Sequence, residues 1–503
     1  MAPGLPGTAL PLWHALGEPG RGGRLWAFPA ARHRASTGGT MTADLRTEAA
    51  RCAEVLQRWY RADPYADRTG LYHHEEAAVS PARSLGLRAI GYLGRRPDTE
   101  LWWNSANAIT ALIGYMSATG DKKYLDSVGY TFEHAPAAFT VNSRAVAVTA
   151  AAGGVALAGI GAAAGSAFSP AGIAVGVVAG ALAGLLAGGL GAAASGAVGR
   201  VRYTGFMGTY YDDMAWWALA WIAAYDLTSD AAYLRCADRI FEEMTVGWDE
   251  VWQGGIYWQK NHKGPSAKFG DIYKNAIPNE LLAAVGAALA VRSPSSPGGT
   301  TSHAQWAARA WEWLSTAPPH GMAMINDRGL INDSPNPQGV NDNTEAIWSY
   351  NQGVILGALC DLARLTGDGT YLARAEAIAD AFIASPVHHS PGPPPPSSSG
   401  VIDGILHEFD DSDPTGAHPP ARPVPLGTVQ FKGIFVRNLA TLYLRTRKEP
   451  YRQFILANAA RAASVAAGGS YGANWAAPPD AADFIRQSSA LDLLNAAVLV
   501  SEA

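Results

Sequence analysis

Two adjacent carboxylates, Asp212 and Asp213, stand among aromatic residues in Tyr210-Tyr211-Asp212-Asp213-Met214-Ala215-Trp216-Trp217. They open a stretch whose pattern predicts an apolar, tryptophan-rich helix. Neighbouring like charges repel, so one carboxyl must titrate above the other. The positive end of a helix favours one ionised carboxylate, which leaves the second free to stay protonated near neutral pH. An acid paired with a carboxylate is the equipment of glycosidic-bond cleavage. The two α carbons are about 3.8 Å apart, and on a helix the side chains diverge by roughly 100°. Both can therefore flank one bond, and a carboxyl separation of about 5–5.5 Å would suit retention through a covalent intermediate. The wider spacing that inversion needs is harder to reach from adjacent positions. The competing reading is that both residues only cap the helix or face solvent.

Further polar and aromatic clusters sit at matching places, the starts of predicted helices. Trp102, Trp103, Asn104 and Asn107 open one, and Lys274, Asn275 and Asn279 open another. Asn351 and Gln352 lie in the first turns of a third, and Lys432 begins a fourth. Trp102, Trp103, Trp258 and Trp475 are candidate stacking faces for sugar rings, against the ordinary fate of tryptophan as core. Lys274, Lys432 and Asp333 are candidate partners for hydroxyls, against a solvated lysine or a turn-forming Asn-Asp. Asn104, Asn107, Tyr211, Asn275, Asn279, Asn351 and Gln352 complete the expected substrate contacts. Asp410-Asp411, between Pro and Gly residues, reads as a solvated turn.

The elements that must position these residues are helical. Periodicity predicts twelve helices, over about 44–60, 101–118, 122–135, 211–227, 231–245, 275–292, 303–316, 345–365, 370–384, 431–445, 449–467 and 486–501. Strand-like alternation is scarce. A short repeat marks the connections: Thr119-Gly120-Asp121, Thr228-Ser229-Asp230 and Thr366-Gly367-Asp368, with Thr446-Arg447-Lys448 a degenerate copy. The second residue ends one helix in a left-handed turn and the aspartate caps the next. Tight turns of this kind follow helices 2, 4, 8 and 10, a Ser/Pro/Gly loop at 293–302 follows helix 6, and long loops follow helices 3, 5, 7, 9 and 11. The pattern predicts an all-α (α/α)6 toroid of six helical hairpins, with the long loops and the clusters on one face.

Residues 1–40, rich in Gly, Pro, Ala and Arg, read as a disordered extension without a clean signal peptide, and a start at Met41 is an alternative. The catalytic domain is expected over 41–503, interrupted by an Ala/Gly-rich insertion at 145–199 that carries no charge. Gly172, Gly176, Gly180, Gly184 and Gly188 recur every fourth residue within it. Three readings stay open for the insertion: a membrane-inserting hairpin, a low-complexity segment against the catalytic domain, or an artefact of the gene structure.

The rest of the composition excludes several classes. A net charge of -5 without a basic patch argues against nucleic acid. Cys52, Cys236 and Cys360 are far apart, so they read as buried hydrophobes and not as a zinc site or disulfide frame. Phosphate-binding, dinucleotide, zinc-protease and serine-hydrolase motifs are missing from the sequence.

The double aspartate with Met214-Ala215-Trp216-Trp217, and Tyr350-Asn351-Gln352-Gly353-Val354-Ile355-Leu356-Gly357, resembles glycoside hydrolase family 76, the α-1,6-mannanases and related fungal wall enzymes. Stretches at 102–111, 254–258, 273–282, 431–438 and 488–494 extend the resemblance over the whole domain except the insertion. It implies an (α/α)6 barrel and retaining, endo-acting cleavage of α-1,6-mannosidic bonds in mannan. It further implies Asp212 as nucleophile, Asp213 as general acid/base, and neither metal nor organic cofactor. A secreted or cell-surface enzyme is expected, and the C-terminal Val498–Ala503 is too short and polar for a lipid-anchor signal. The alternatives are a cell-wall mannan transglycosidase, or a mannan-binding protein without turnover held at a membrane through 145–199. Sugar epimerisation, a further use of this architecture, would call for histidine bases, which the clusters lack.

Overall fold

The computed structural model describes residues 39–60, 70–73, 100–136, 206–262, 264, 272–292, 302–389, 397–411, 424 and 427–503. Most of the predicted 1–40 extension and the whole 145–199 insertion lie outside the described residues.

The helices are α1 (Gly39–Leu56), α2 (Glu100–Thr119), α3 (residues 125–136), α4 (Tyr211–Thr228), α5 (Ala231–Thr245) and α6 (Ala276–Arg292). They continue with α7 (His303–Ser315), α8 (Ser349–Thr366), α9 (Thr370–Ile383), α10 (Phe431–Thr446), α11 (Glu449–Val465) and α12 (Phe484–Glu502). One short antiparallel hairpin, β1 (Gly400–Ile402) and β2 (Ile405–His407), pairs Val401 with Leu406.

Burial divides these helices into two sets. On α6 every residue from Ala276 to Ala290 is buried, and on α12 every residue from Phe484 to Val498. On α5 only Tyr233, Cys236, Ala237, Ile240, Phe241 and Met244 are buried, one stripe at helical spacing. A helix apolar all round belongs inside, and one with a single stripe belongs outside. The contacts agree. The inner helices pack in the order α2, α4, α6, α8, α10, α12 and back to α2, a closed ring. The outer helices each lean on an inner neighbour, as α5 does on α4 and α7 on α6. This is the expected (α/α)6 toroid.

Small residues let the ring close tightly. A Cβ on Gly353 of α8 would lie 2.5 Å from the Phe435 Cα of α10, and one on Gly433 would lie 2.9 Å from Ser489 Cα of α12. Both distances are shorter than any tolerated contact, so a larger residue would force the helices apart.

The repeated triplet makes the same turn each time. Gly120, Ser229, Gly367 and Arg447 all take a left-handed backbone, with φ of 78°, 65°, 70° and 59°. The Asp230 carboxylate accepts the Ala232 N–H at 2.8 Å, and the Asp368 carboxylate accepts the Thr370 N–H at 2.8 Å. The threonine hydroxyl before the turn accepts the aspartate N–H in each case, at 3.2 Å. These turns put the N-termini of the inner helices, and the long loops, on the opposite face.

The start of the eighth helix differs from the periodic reading. The eighth helix begins at Ser349, not near 345, because Ile347 N–H donates to Ser397 and Ile347 O accepts from Ser399. Pairing with a distant segment overrides local propensity there. Cys52, Cys236 and Cys360 are free and buried, as read. Among the described residues no helix is long and apolar enough to cross a membrane.

Candidate active site

Asp212 and Asp213 occupy the first turn of α4. Tyr210 precedes the helix in extended conformation and bridges to Gln259. Tyr211 N–H donates to Trp258 O at 2.9 Å, so residues 256–260 run beside the helix start. The Trp258 indole N–H then donates to Asp212 Oδ2 at 3.0 Å, and Asp213 N–H donates to Asp212 Oδ1 at 3.0 Å.

The two carboxyls keep a partly exposed face in a basin whose protein walls displace most of their water. Desolvation pushes Asp212 up to about 6, opposed by its bonds from Trp258 and from backbone N–H groups. Desolvation, and then the charge of Asp212, raise Asp213 well above the carboxylate range. The pair titrates as one coupled unit with the proton resting on Asp213.

Other carboxyls share the basin. Asp333 lies near the hydroxyls of Tyr273 and Tyr350, each 3.5 Å from one of its oxygens. Burial, Glu345 and Asp212 push it up to about 7, against those tyrosines. Its backbone is fixed too: Ala276 N–H, the first residue of α6, donates to Asp333 O at 2.7 Å. Beneath it Glu280 is fully buried and raised well above the usual range by desolvation. Asn351 donates to one Glu280 oxygen at 3.3 Å. Glu280 Oε1, Asn351 Oδ1 and Asn275 Oδ1 are buried without a hydrogen-bond partner among the described residues.

An aromatic arc forms another wall. Tyr350 lies flat on Phe431, with centroids 3.8 Å apart and an interplanar angle of 5°. Phe431 also meets Trp103 at 6.0 Å and Trp348 at 5.5 Å, and Trp103 meets Trp216 at 6.3 Å. Tyr273, Tyr350, Trp348, Phe431 and Glu280 were not singled out as site residues. Their signal was present, because all five lie in or beside the helix-opening clusters.

Several expected substrate contacts are turned elsewhere. Trp102 packs on Trp217 and Phe206 in the core. Trp475, almost wholly buried, lies under the Lys432 ammonium. Lys432 is itself fully buried and donates to Asp411 and to Ala473 O. Asp411 is therefore a buried ion-pair partner and not a solvated turn, and His407 Nδ1 also bonds it at 2.8 Å. The Lys274 ammonium is spent on Asp249, Val251 O and Gly254 O. Asn279 bonds both the N–H and the O of Ile256, and Gln352 does the same for Ile331. Asn104 pairs with Gln430 at 2.7 Å, and Asn107 accepts from Arg437 at 2.7 Å. Tyr211 is buried with its ring against Gly247. These residues hold the basin and do not line it: the ammoniums of Lys274 and Lys432 and the amides of Asn279 and Gln352 are bonded to protein atoms, and Trp102, Trp475 and Tyr211 are buried against protein. Asp212, Asp213, Asp333, Trp103 and Trp258 do come together.

A separate cavity of about 530 Å³, including its solvent-open part, lies between α2, α4, α10 and α12. It is lined by Thr110, Ser117, Arg437, Asp492 and Asn495 and contains none of the basin carboxyls.

Residues 202–503 match the profile of glycosyl hydrolase family 76. The chain belongs to that family. As a family 76 chain it is 25% identical over 282 residues to the mannan endo-1,6-alpha-mannosidase DCW1 of Saccharomyces cerevisiae, covering 52% of this chain and 54% of that protein. It is 26% identical over 181 residues to DCW1 of Candida glabrata, covering 34% of this chain and 37% of that protein. The chain thus spans about half the length, or less, of these curated relatives. Its fold is that of the GH76A alpha-1,6-mannanase from a Salegentibacter species, with a TM-score of 0.56 at 20% identity over 91% of this chain and all of that one. Dfg5 from Chaetomium thermophilum, solved with glucosamine, gives a TM-score of 0.57 at 15% identity, over 92% of this chain and 90% of that one.

Proposed function

We propose that this family 76 chain is a retaining, endo-acting glycoside hydrolase that cleaves α-1,6-mannosidic bonds in mannan. The observation that carries the reading is the unequal pair at the start of α4. Asp212 receives hydrogen bonds that favour its charge, and Asp213 lies next to that charge with no donor among the described residues. Asp212 attacks the anomeric carbon and forms a glycosyl ester, while Asp213 gives its proton to the departing oxygen. Asp213 then takes a proton from water, which displaces the ester and restores both groups. Asp333 and the Tyr350–Phe431 and Trp103 rings supply the hydroxyl partner and apolar faces that a pyranose needs.

Relatives point to the same substrate. The S. cerevisiae relative is named for α-1,6 cleavage of mannan. The Salegentibacter mannanase was solved with α-1,6-mannotriose as an inactive variant with two consecutive aspartates replaced by asparagine. Mannan as the partner puts the enzyme's work at the cell wall or outside the cell.

The test is product analysis after incubation with α-1,6-linked mannooligosaccharides, with Asp212→Asn as control. Shortened products whose first-formed anomer is α support the reading. A β anomer would overturn retention, lengthened products alone would make the chain a transglycosidase, and tight binding without turnover would leave a binding protein.

A further inference from the structure

The segment before Trp258 has an unusual backbone. Trp252, Gln253, Gly254 and Gly255 all have positive φ, at 55°, 60°, 115° and 77°. Glycine tolerates this, but a non-glycine residue held there brings its Cβ against the following carbonyl and is strained. Such conformations persist only where the surroundings over-determine them, and they cluster at functional sites.

The surroundings here are specific. Lys274, fully buried, donates to Val251 O at 2.8 Å, Gly254 O at 2.8 Å and Asp249 Oδ1 at 2.6 Å. The Trp313 indole donates to Trp252 O at 2.9 Å. A Cβ on Gly255 would come within 2.6 Å of the Trp313 ring. Beyond the turn, Asn279 clasps both backbone groups of Ile256, and Trp258 N–H donates to Tyr273 O at 3.1 Å. Three of the residues that grip this strap, Tyr273, Lys274 and Asn279, lie just before or within the first turn of α6. At the end of this construction Trp258 Nε1 donates to Asp212 Oδ2.

We propose that Trp258 is a positioning residue for Asp212, and that the strained strap gripped by Lys274 and Asn279 exists to hold its indole N–H there. The proposal rests on the reading of Asp212 as nucleophile. With one oxygen tied to Trp258 and the carboxylate further steadied by Asp213 N–H, the side chain is fixed in rotation. Fixed orientation of a nucleophile lowers the entropy cost of attack. The donor also favours the charged form. The other titratable groups facing Asp212 are Asp213 on its own helix, Asp333 on the loop after α7, and Tyr350 on α8. None of them supplies a positive charge, so the indole is the side-chain donor that offsets them.

Two measurements test this. In Trp258→Phe, which keeps an aromatic ring and removes the N–H, kcat on α-1,6-mannooligosaccharides should fall about tenfold with KM within about twofold. The acidic limb of kcat/KM should move up by about one pH unit. Lys274→Met, and the milder Asp249→Asn, should move the limb in the same direction. An unmoved limb in Trp258→Phe overturns the proposal, and an unmoved limb in both strap variants overturns the part assigned to the strap. Separately, the Trp258 indole ¹⁵N–¹H resonance of the full chain should titrate with Asp212 and stop doing so in Asp212→Asn. This readout needs no substrate. A titrating indole in a protein that leaves mannan intact would overturn the proposed function and keep the contact, and a silent indole in an active enzyme would do the reverse.

Discussion

Asp213 donates its backbone N–H to the carboxylate of Asp212 at 3.0 Å, so the main chain of one residue stabilises the charge of the other. Among the described residues no donor reaches the Asp213 carboxyl in return. Adjacent residues of one chemical type thereby become unequal. Replacing Asp213 by Asn should cut hydrolysis of mannooligosaccharides by about 10²–10⁴-fold. An aryl mannoside, whose leaving group needs no proton, should lose much less. Asp212→Asn should fail on both substrates. Steady-state rates on the two substrates check this, and equal losses for Asp213→Asn would sink its role as acid.

The same inequality sets the pH profile. Activity needs Asp212 ionised and Asp213 protonated. The profile of kcat/KM should rise with pH through about 6, where Asp212 loses its proton, and fall again at higher pH as Asp213 loses its own. Asp333, pushed up to about 7, still holds its proton through most of the acidic limb, so Asp333→Asn should leave that limb near its wild-type position. A limb that moves clearly downward would show that Asp333 faces the pair as a charge.

Glu408 ties pH to stability away from the basin. It is buried between the hydroxyls of Ser349 and Ser399, and desolvation pushes it up to about 8. A carboxyl with a folded pKa above its unfolded one holds its proton more tightly when folded. Its contribution is complete below the unfolded value of about 4.3 and is lost as pH rises through about 8. Glu408→Gln keeps the shape and cannot ionise, so denaturant unfolding at pH 8 should find it more stable than wild type. At pH 4 the two should be close. A variant that is weaker at both pH values would show that the carboxyl is charged in the fold.

The buried pair Lys432–Asp411 offers a test of packing. Lys432→Met leaves Asp411 without its cation, held only by His407 and the Glu408 N–H among the described residues, and loss of one partner of a buried pair costs about 3–5 kcal/mol. The double variant Lys432→Met with Asp411→Leu should recover part of that loss. Urea midpoints for the three proteins measure it, and additive losses would mean the pair is not coupled.

The helices were readable because their causes are local. A triplet such as Thr366-Gly367-Asp368 carries its own left-handed turn and its own cap, and a stripe such as Tyr233, Cys236, Ala237, Ile240 carries its own outward face. The catalytic pair was readable for the same reason, since two carboxylates in sequence must be neighbours in space. Lys274 and Lys432 were not. A lysine beside an apolar helix looks the same whether its ammonium meets a sugar or a carbonyl. The strap at 249–254 and the loop at 411 decide it, and both are set by tertiary pairing. Trp258 and Trp475 differ in the same way. One indole reaches a carboxylate and the other is covered by Lys432.

The inner ring closes between its last helix and its first. Asn495 of α12 donates to Ala111 O of α2 at 2.8 Å, across 384 residues of chain. Contacts so distant in sequence are slow to form, because a long loop must be ordered before they reward it. During synthesis α2 and α10 would each present an unmatched apolar flank until α12 leaves the ribosome. The nascent chain therefore carries sticky surface through most of its translation, a state prone to aggregation. Yield in a cell-free system should depend on added chaperone far more for chains halted before residue 484 than for the completed ring.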